Sequence, residues 1–98
     1  VATQALWFLN DAEVLEHADA LARVLEKKWD SGPERLRQLY LRLFAELPTA
    51  PELEQCGQFL LSQREIFIQN DPECDAEHRA LASLCQVLLA SNRFLYVD

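Results

Sequence analysis

The side chains best suited to acid–base chemistry in this sequence are two histidines. His17 follows Glu16 and His78 follows Glu77, and a histidine beside a carboxylate can move a proton. Neither pair lies in a stretch that predicts a cleft-forming loop. His17 also comes three residues after Val14, which places it at the border of an apolar helical stripe. We therefore interpret His17 as a surface or boundary residue and expect no catalytic site.

Other reactive side chains also lack a recognisable arrangement. None of the serines lies in a nucleophile motif, and the acidic residues around Asp71 do not match a calcium loop. The odd set of Cys56, Cys74 and Cys85 contains no CxxC pair. Reduced, half-buried thiols in a cytoplasmic protein are the expected state. We predict a protein that is not an enzyme and that uses no cofactor and no metal.

One histidine leaves an alternative open. Glu77-His78-Arg79 opens a predicted helix and precedes the apolar residues Leu81 and Leu84. Phosphoacceptor helices of some histidine kinases also carry a His-Arg pair ahead of an apolar stripe, but the asparagine that follows there is missing here. A phosphotransfer or dimerisation module of a signalling protein is therefore the alternative function, and it requires an exposed His78. A plain oligomerisation domain is a further alternative.

Charge and length limit the partners. The 98 residues carry a net charge of −7, which disfavours nucleic acids and anionic membrane surfaces because both are bound through Lys and Arg. No apolar run approaches the roughly 18–20 residues that span a bilayer. The opening Val-Ala-Thr has no basic region, so we expect a fragment without a signal peptide. The partner is expected to be another protein.

Helix signals organise the whole chain as a single domain over 1–98. Four helices are predicted over about 11–30, 33–46, 51–69 and 72–91, with Asn10/Glu13 and Thr49/Glu52 as capping boxes. Proline near the start of the last three fits a first helical turn. The expected fold is all-α, a four- to five-helix bundle or an orthogonal helical array without a sheet. The last residues, 93–97, either extend the fourth helix or pack as a tail.

Apolar residues at helical spacing predict the core. The predicted core-facing positions are Val14, Ala18, Leu21, Leu25 and Trp29 in the first helix; Leu36, Leu39, Tyr40, Leu43, Phe44 and Leu47 in the second; Leu53, Cys56, Leu60, Ile66 and Phe67 in the third; and Leu81, Leu84, Cys85 and Leu88 in the fourth. The arginines of the second helix, Arg35 among them, are expected to face water. In the third helix Phe59, Leu61 and Ile68 widen the apolar arc beyond one face, which indicates a second contact surface.

The segment before the first helix is also apolar. Leu6-Trp7-Phe8-Leu9 places four large side chains in a row within the first ten residues, which form either a tail or a partner-contact segment. Such a segment is expected to pack on the bundle or to belong to an interface, because four exposed large apolar side chains are costly.

Several segments in order resemble the TyeA family of type III secretion regulators and the C-terminal domain of gatekeepers of the YopN, MxiC and SepL type. Leu25-Glu26-Lys27-Lys28-Trp29 is similar to that family's basic pair and tryptophan, and the run 44–53, FAELPTAPEL, to its Leu-Pro-Thr-Pro-Glu segment. Phe59 and Phe67 match an aromatic pair, and residues 75–86 resemble the last helix. The resemblance covers about 21–88, with small differences in length at Ala50 and after Phe67.

The resemblance implies a non-enzymatic helical adaptor. Proteins of this family bind the C-terminal helical part of a gatekeeper and restrain effector export, in the bacterial cytoplasm or at the cytoplasmic face of the secretion apparatus. Aromatic residues dominate many protein interfaces. The residues expected to bind the partner are Trp7, Phe8, Trp29, Phe59 and Phe67.

Overall fold

The structure, a computed structural model, describes residues 12–97, with side chains up to residue 91. It contains four α-helices, α1 (Ala12–Lys28), α2 (Gly32–Phe44), α3 (Ala50–Asn70) and α4 (Ala76–Val97), and no strand within those residues. The predicted all-α fold is confirmed. The asparagine of the first predicted capping box, Asn10, lies outside the described residues, as do Trp7 and Phe8.

The predicted Thr49/Glu52 capping box is formed, and a serine caps α2. The Thr49 hydroxyl accepts from the backbone N–H of Glu52 at 3.3 Å, and the Glu52 carboxylate accepts from the Thr49 N–H at 2.8 Å. The Ser31 hydroxyl accepts from the Glu34 N–H at 3.4 Å and begins α2. Both arrangements satisfy N–H groups that a helix start leaves without intrahelical partners.

The last helix begins later than the proline at residue 72 predicts. Asp71 ends α3 in an extended conformation, and the Cys74 N–H donates to the Asp71 carbonyl at 3.1 Å, so residues 71–74 form a turn. Asp75 instead precedes α4 as its cap, because its Oδ1 accepts from the His78 N–H at 3.2 Å. At the other end α4 continues to Val97, so the C-terminal residues extend the helix.

α4 is the central helix, since it contacts the other three and packs most extensively on α1 and α3. The core is one cluster to which all four helices contribute, and its fully buried members include Ala22, Leu25, Leu39 and Cys85. α1 presents Ala18 and Ala22 within this cluster. Both side chains are almost completely buried, so this face of α1 is part of the core.

Three predicted positions are wrong. The sequence predicts that Leu47 faces the core. However, α2 ends at Phe44, because Ala45 adopts a left-handed conformation with φ 57°. Leu47 therefore lies beyond the helix and is 59% exposed. Ile66 is 46% exposed, since the apolar arc of α3 is wider than the surface that α4 and α2 cover. Arg35 does not simply face water: it is half-buried, and its Nε donates to the Trp29 carbonyl at 2.7 Å.

Candidate functional site

An open apolar pocket lies where α2, α3 and α4 meet. It has a volume of about 480 Å³. Its apolar lining comprises Leu36 of α2, Gly57, Leu60 and Leu61 of α3, and Ala80 and Leu81 of α4. Gly32, the first residue of α2, also lines it. We call this space the glycine pocket, because both glycines of the chain lie in its lining.

Neither glycine in the pocket lining is required by the backbone conformation or by close packing. Neither has a positive φ, the conformation that usually demands glycine. A Cβ built at Gly32 or at Gly57 would meet no atom within 4 Å. Glycine inside a helix costs about 1 kcal/mol relative to alanine, and Gly57 lies well inside α3. The absent side chain at Gly57 therefore has no structural cause within the described residues and leaves space for an occupant.

Charged side chains surround this apolar surface. Arg64 Nε lies 3.9 Å from Glu77 Oε1 across the α3–α4 edge, and both side chains are largely exposed. Glu54 and Arg35 line the pocket as well. An apolar floor with a charged rim is the usual anatomy of a protein-binding patch. Exposed pairs such as Arg64–Glu77 contribute little to stability, so they can be exchanged for contacts with a partner.

Large apolar side chains on α3 are left exposed, and one of them lies at the pocket. Leu61, 62% exposed, lines the glycine pocket, and Ile66 and Ile68 are also exposed further along the helix. Leu61 and Ile68 belong to the surplus arc that the sequence predicts. Apolar surface that the fold leaves uncovered is typical of interaction sites.

The aromatic residues predicted to bind a partner are not gathered at this pocket. Trp29 and Phe59 are half-buried and pack against the core cluster. Phe67 lies beneath Arg79, whose Cζ is 4.5 Å from the ring centroid. None of these three lines the glycine pocket. Their role as partner contacts, like that of Trp7 and Phe8, stays a prediction.

Sequence reasoning did not single out the glycines. The feature of the sequence that points to the pocket is Gly57, a lone glycine within an otherwise uninterrupted helical pattern. At that position it lowers helix stability without marking a turn. What the sequence could not reveal is that Gly32, at the start of a different helix, contributes to the same pocket.

A second cluster joins α1 to α4 around His78. This residue is 8% exposed, and its ring lies between two carboxylates of α1: Nε2 is 2.6 Å from Asp19 Oδ1 and Nδ1 is 2.5 Å from Glu26 Oε1. Arg23 Nε lies 3.0 Å from the other Asp19 oxygen. Asp19 and Glu26 reach the same ring because two helical turns separate them on one face of α1.

This arrangement bears on the phosphotransfer alternative. A phosphoacceptor histidine needs an accessible ring nitrogen with a free lone pair to attack phosphorus. In His78 both ring nitrogens contact carboxylates and the ring is almost fully buried. The geometry therefore disfavours phosphoryl transfer to His78.

The thiols occupy two kinds of environment. Cys56 and Cys85 are buried, and burial raises the pKa of both, that of Cys85 to about 12. Cys74 is partly exposed, with its Sγ 3.6 Å from the Phe67 carbonyl oxygen. The three are unpaired, and no group of His, Cys, Asp and Glu within the described part of the chain has metal-binding geometry.

Over the same residues, no helix is both long enough and apolar enough to cross a membrane. Comparisons of the chain with protein-family models, with curated proteins and with solved structures find no match.

Proposed function

We propose that this chain is a non-enzymatic helical adaptor whose glycine pocket receives a helix of a partner protein. The observation that carries the proposal is the open apolar pocket at the junction of three helices, whose glycines neither the backbone nor the packing requires. Helix-in-groove binding uses such a surface, because an amphipathic helix can bury its apolar face in it.

The resemblance to TyeA-like regulators supplies the identity of the partner in this proposal. The occupant is the C-terminal helical segment of a YopN-type gatekeeper, and the complex restrains effector export by type III secretion in the bacterial cytoplasm. The net charge of −7 fits a protein partner better than a nucleic acid. Exposed Leu61 at the pocket would supply apolar contact area, and exposed Ile68, seven residues further along the same face of α3, would extend it.

Size-exclusion chromatography with light scattering tests the proposal. The chain is run alone and with the gatekeeper segment, and we expect a monomer that shifts to a 1:1 complex. A stable homodimer that ignores the segment would contradict the adaptor function and support the plain oligomerisation domain.

A further inference from the structure

His78 is the one buried histidine among the side chains described up to residue 91, and no Asp, Glu, Lys or Arg of that range is buried. It lies in the first turn of α4, and both carboxylates that contact its ring come from α1. The proposed adaptor function makes no use of it, and its position outside the glycine pocket separates it from that site.

Hydrogen-bond geometry fixes the number of protons that this cluster needs. A neutral imidazole has one N–H donor and one acceptor nitrogen, whereas an ionised carboxylate only accepts. Two ionised carboxylates at 2.5 and 2.6 Å from the two ring nitrogens can both be bonded only if both nitrogens carry a proton. Wherever the proton lies along the short bond between His78 and Glu26, the three groups together hold two protons.

We infer that Asp19, His78 and Glu26 form a proton-dependent clamp between α1 and α4, which is closed while the cluster holds two protons and weakened when one leaves. After that loss, one ring nitrogen presents a lone pair to a carboxylate oxygen. The contact between α1 and α4 then loses a charge-assisted hydrogen bond and gains a repulsion between the lone pair of the buried ring and a carboxylate oxygen.

Other charged groups near the clamp are already engaged. From α1, Arg23 contacts Asp19 on the side away from His78. α3 contributes the uncharged Phe67 to a small cavity that His78 also lines. The charged Arg64 of α3 contacts Glu77. On α4 itself, Arg79 lies over the Phe67 ring. Asp75 accepts from the His78 backbone. Asp19 and Glu26 are therefore the charged groups that act on the imidazole ring.

The direction of the pH dependence follows from these contacts. Burial opposes the charged ring, but the hydrogen bonds to Asp19 and Glu26 outweigh it and raise the pKa of His78 above its ordinary 6.5. The contribution of His78 to stability is thus fully present below pH 6.5 and is lost as the pH rises through the folded-state pKa.

Asp19 sets the acidic limit of the clamp. Hydrogen bonds from His78 and then Arg23 lower the pKa of Asp19 below its ordinary 3.8, so its contribution is present above pH 3.8 and is lost as the pH falls through the folded-state value. The clamp is therefore most effective between pH 3.8 and 6.5.

Urea unfolding of the full chain at pH 5.5 and pH 8.5 tests the clamp. Wild type is compared with H78Q, whose amide can donate from one side only, and with H17Q, which replaces the exposed histidine as a matched control. We expect H78Q to lower the urea midpoint strongly at pH 5.5 and less at pH 8.5. H17Q should show no such pH-dependent difference.

Titration of the wild-type His78 ring by NMR gives a second readout that does not need a folded variant. The ring should lose its proton at a higher pH in the folded protein than in the protein unfolded by urea. The inference would be overturned if the difference in urea midpoint between wild type and H78Q were the same at both pH values. A folded-state titration at or below that of the unfolded chain would also overturn it.

Discussion

Gly32 and Gly57 lie on different helices but line the same pocket, and they are the two glycines of the chain. Gly32 comes first in α2, where a helix tolerates many residues, whereas Gly57 lies inside α3. A Cβ atom at either position would meet nothing within 4 Å. The fold would therefore accept a Cβ at either position of the pocket lining.

Replacing Gly57 by alanine should stabilise the isolated protein. We expect G57A to raise the free energy of unfolding by about 0.5–1 kcal/mol, because alanine has the higher helix propensity and a smaller loss of backbone entropy on folding. Urea denaturation measures the change, and G32A, at the helix start, should give less. A clear loss of stability in G57A would mean that the space beside Gly57 is filled in the folded chain.

Leu25 and Leu61 have the same side chain but differ in burial, so their replacement by alanine should have different effects on stability. Leu25 is fully buried in the core cluster, so L25A should cost about 2–5 kcal/mol through lost burial and the cavity that remains. Leu61 is 62% exposed, so L61A should change stability by no more than about 0.5 kcal/mol. Thermal and urea unfolding of both variants check this contrast. A comparable loss in L61A would show that the pocket surface is covered in the isolated protein.

The capping box of α3 should be worth measurable stability. T49A removes the hydroxyl that accepts from the Glu52 N–H, and we expect a loss of about 1 kcal/mol. S62A, on an exposed position of the same helix, serves as the control and should have little effect. Equal unfolding midpoints for the two variants would contradict the cap.

Thiol labelling should distinguish one cysteine from the other two. A thiol-reactive disulfide reagent at pH 8 should modify Cys74 quickly, since it is partly exposed. Cys56 and Cys85 should react only upon unfolding, because burial raises the pKa of both and blocks access. Mass spectrometry of the labelled protein identifies the sites. Fast modification of Cys85 would be incompatible with the packing of α4.

The helices and much of the core could be predicted because they depend on local patterns. Thr49 with Glu52 marks the start of α3, and Pro33 marks the start of α2, through local signals alone. Leu25, Leu39 and Leu84 follow the helical period of a buried face. The local signal at Pro72 predicted the start of α4 too early. A turn over residues 71–74, stabilised by Asp71, forms there instead and delays the start of the helix.

The tertiary features could not be predicted in the same way. Nothing in the local sequence brings Asp19 and Glu26 to the ring of His78, because the packing of α1 against α4 decides that contact. The meeting of Gly32 and Gly57 likewise depends on how α2 crosses α3. The exposure of Ile66 follows from how much of α3 its neighbours cover, which a stripe of apolar residues does not specify.

The central claim is that the glycine pocket binds a partner helix, and isothermal titration of the gatekeeper segment into three forms of the chain tests it most directly. G57L adds a large side chain at the pocket lining, whereas S62L adds the same side chain at an exposed position of α3 outside the pocket. We predict that wild type and S62L bind with similar affinity and that G57L binds at least tenfold more weakly, a loss of about 1.4 kcal/mol. Equal affinity of G57L and wild type, or no binding by wild type, would contradict the account.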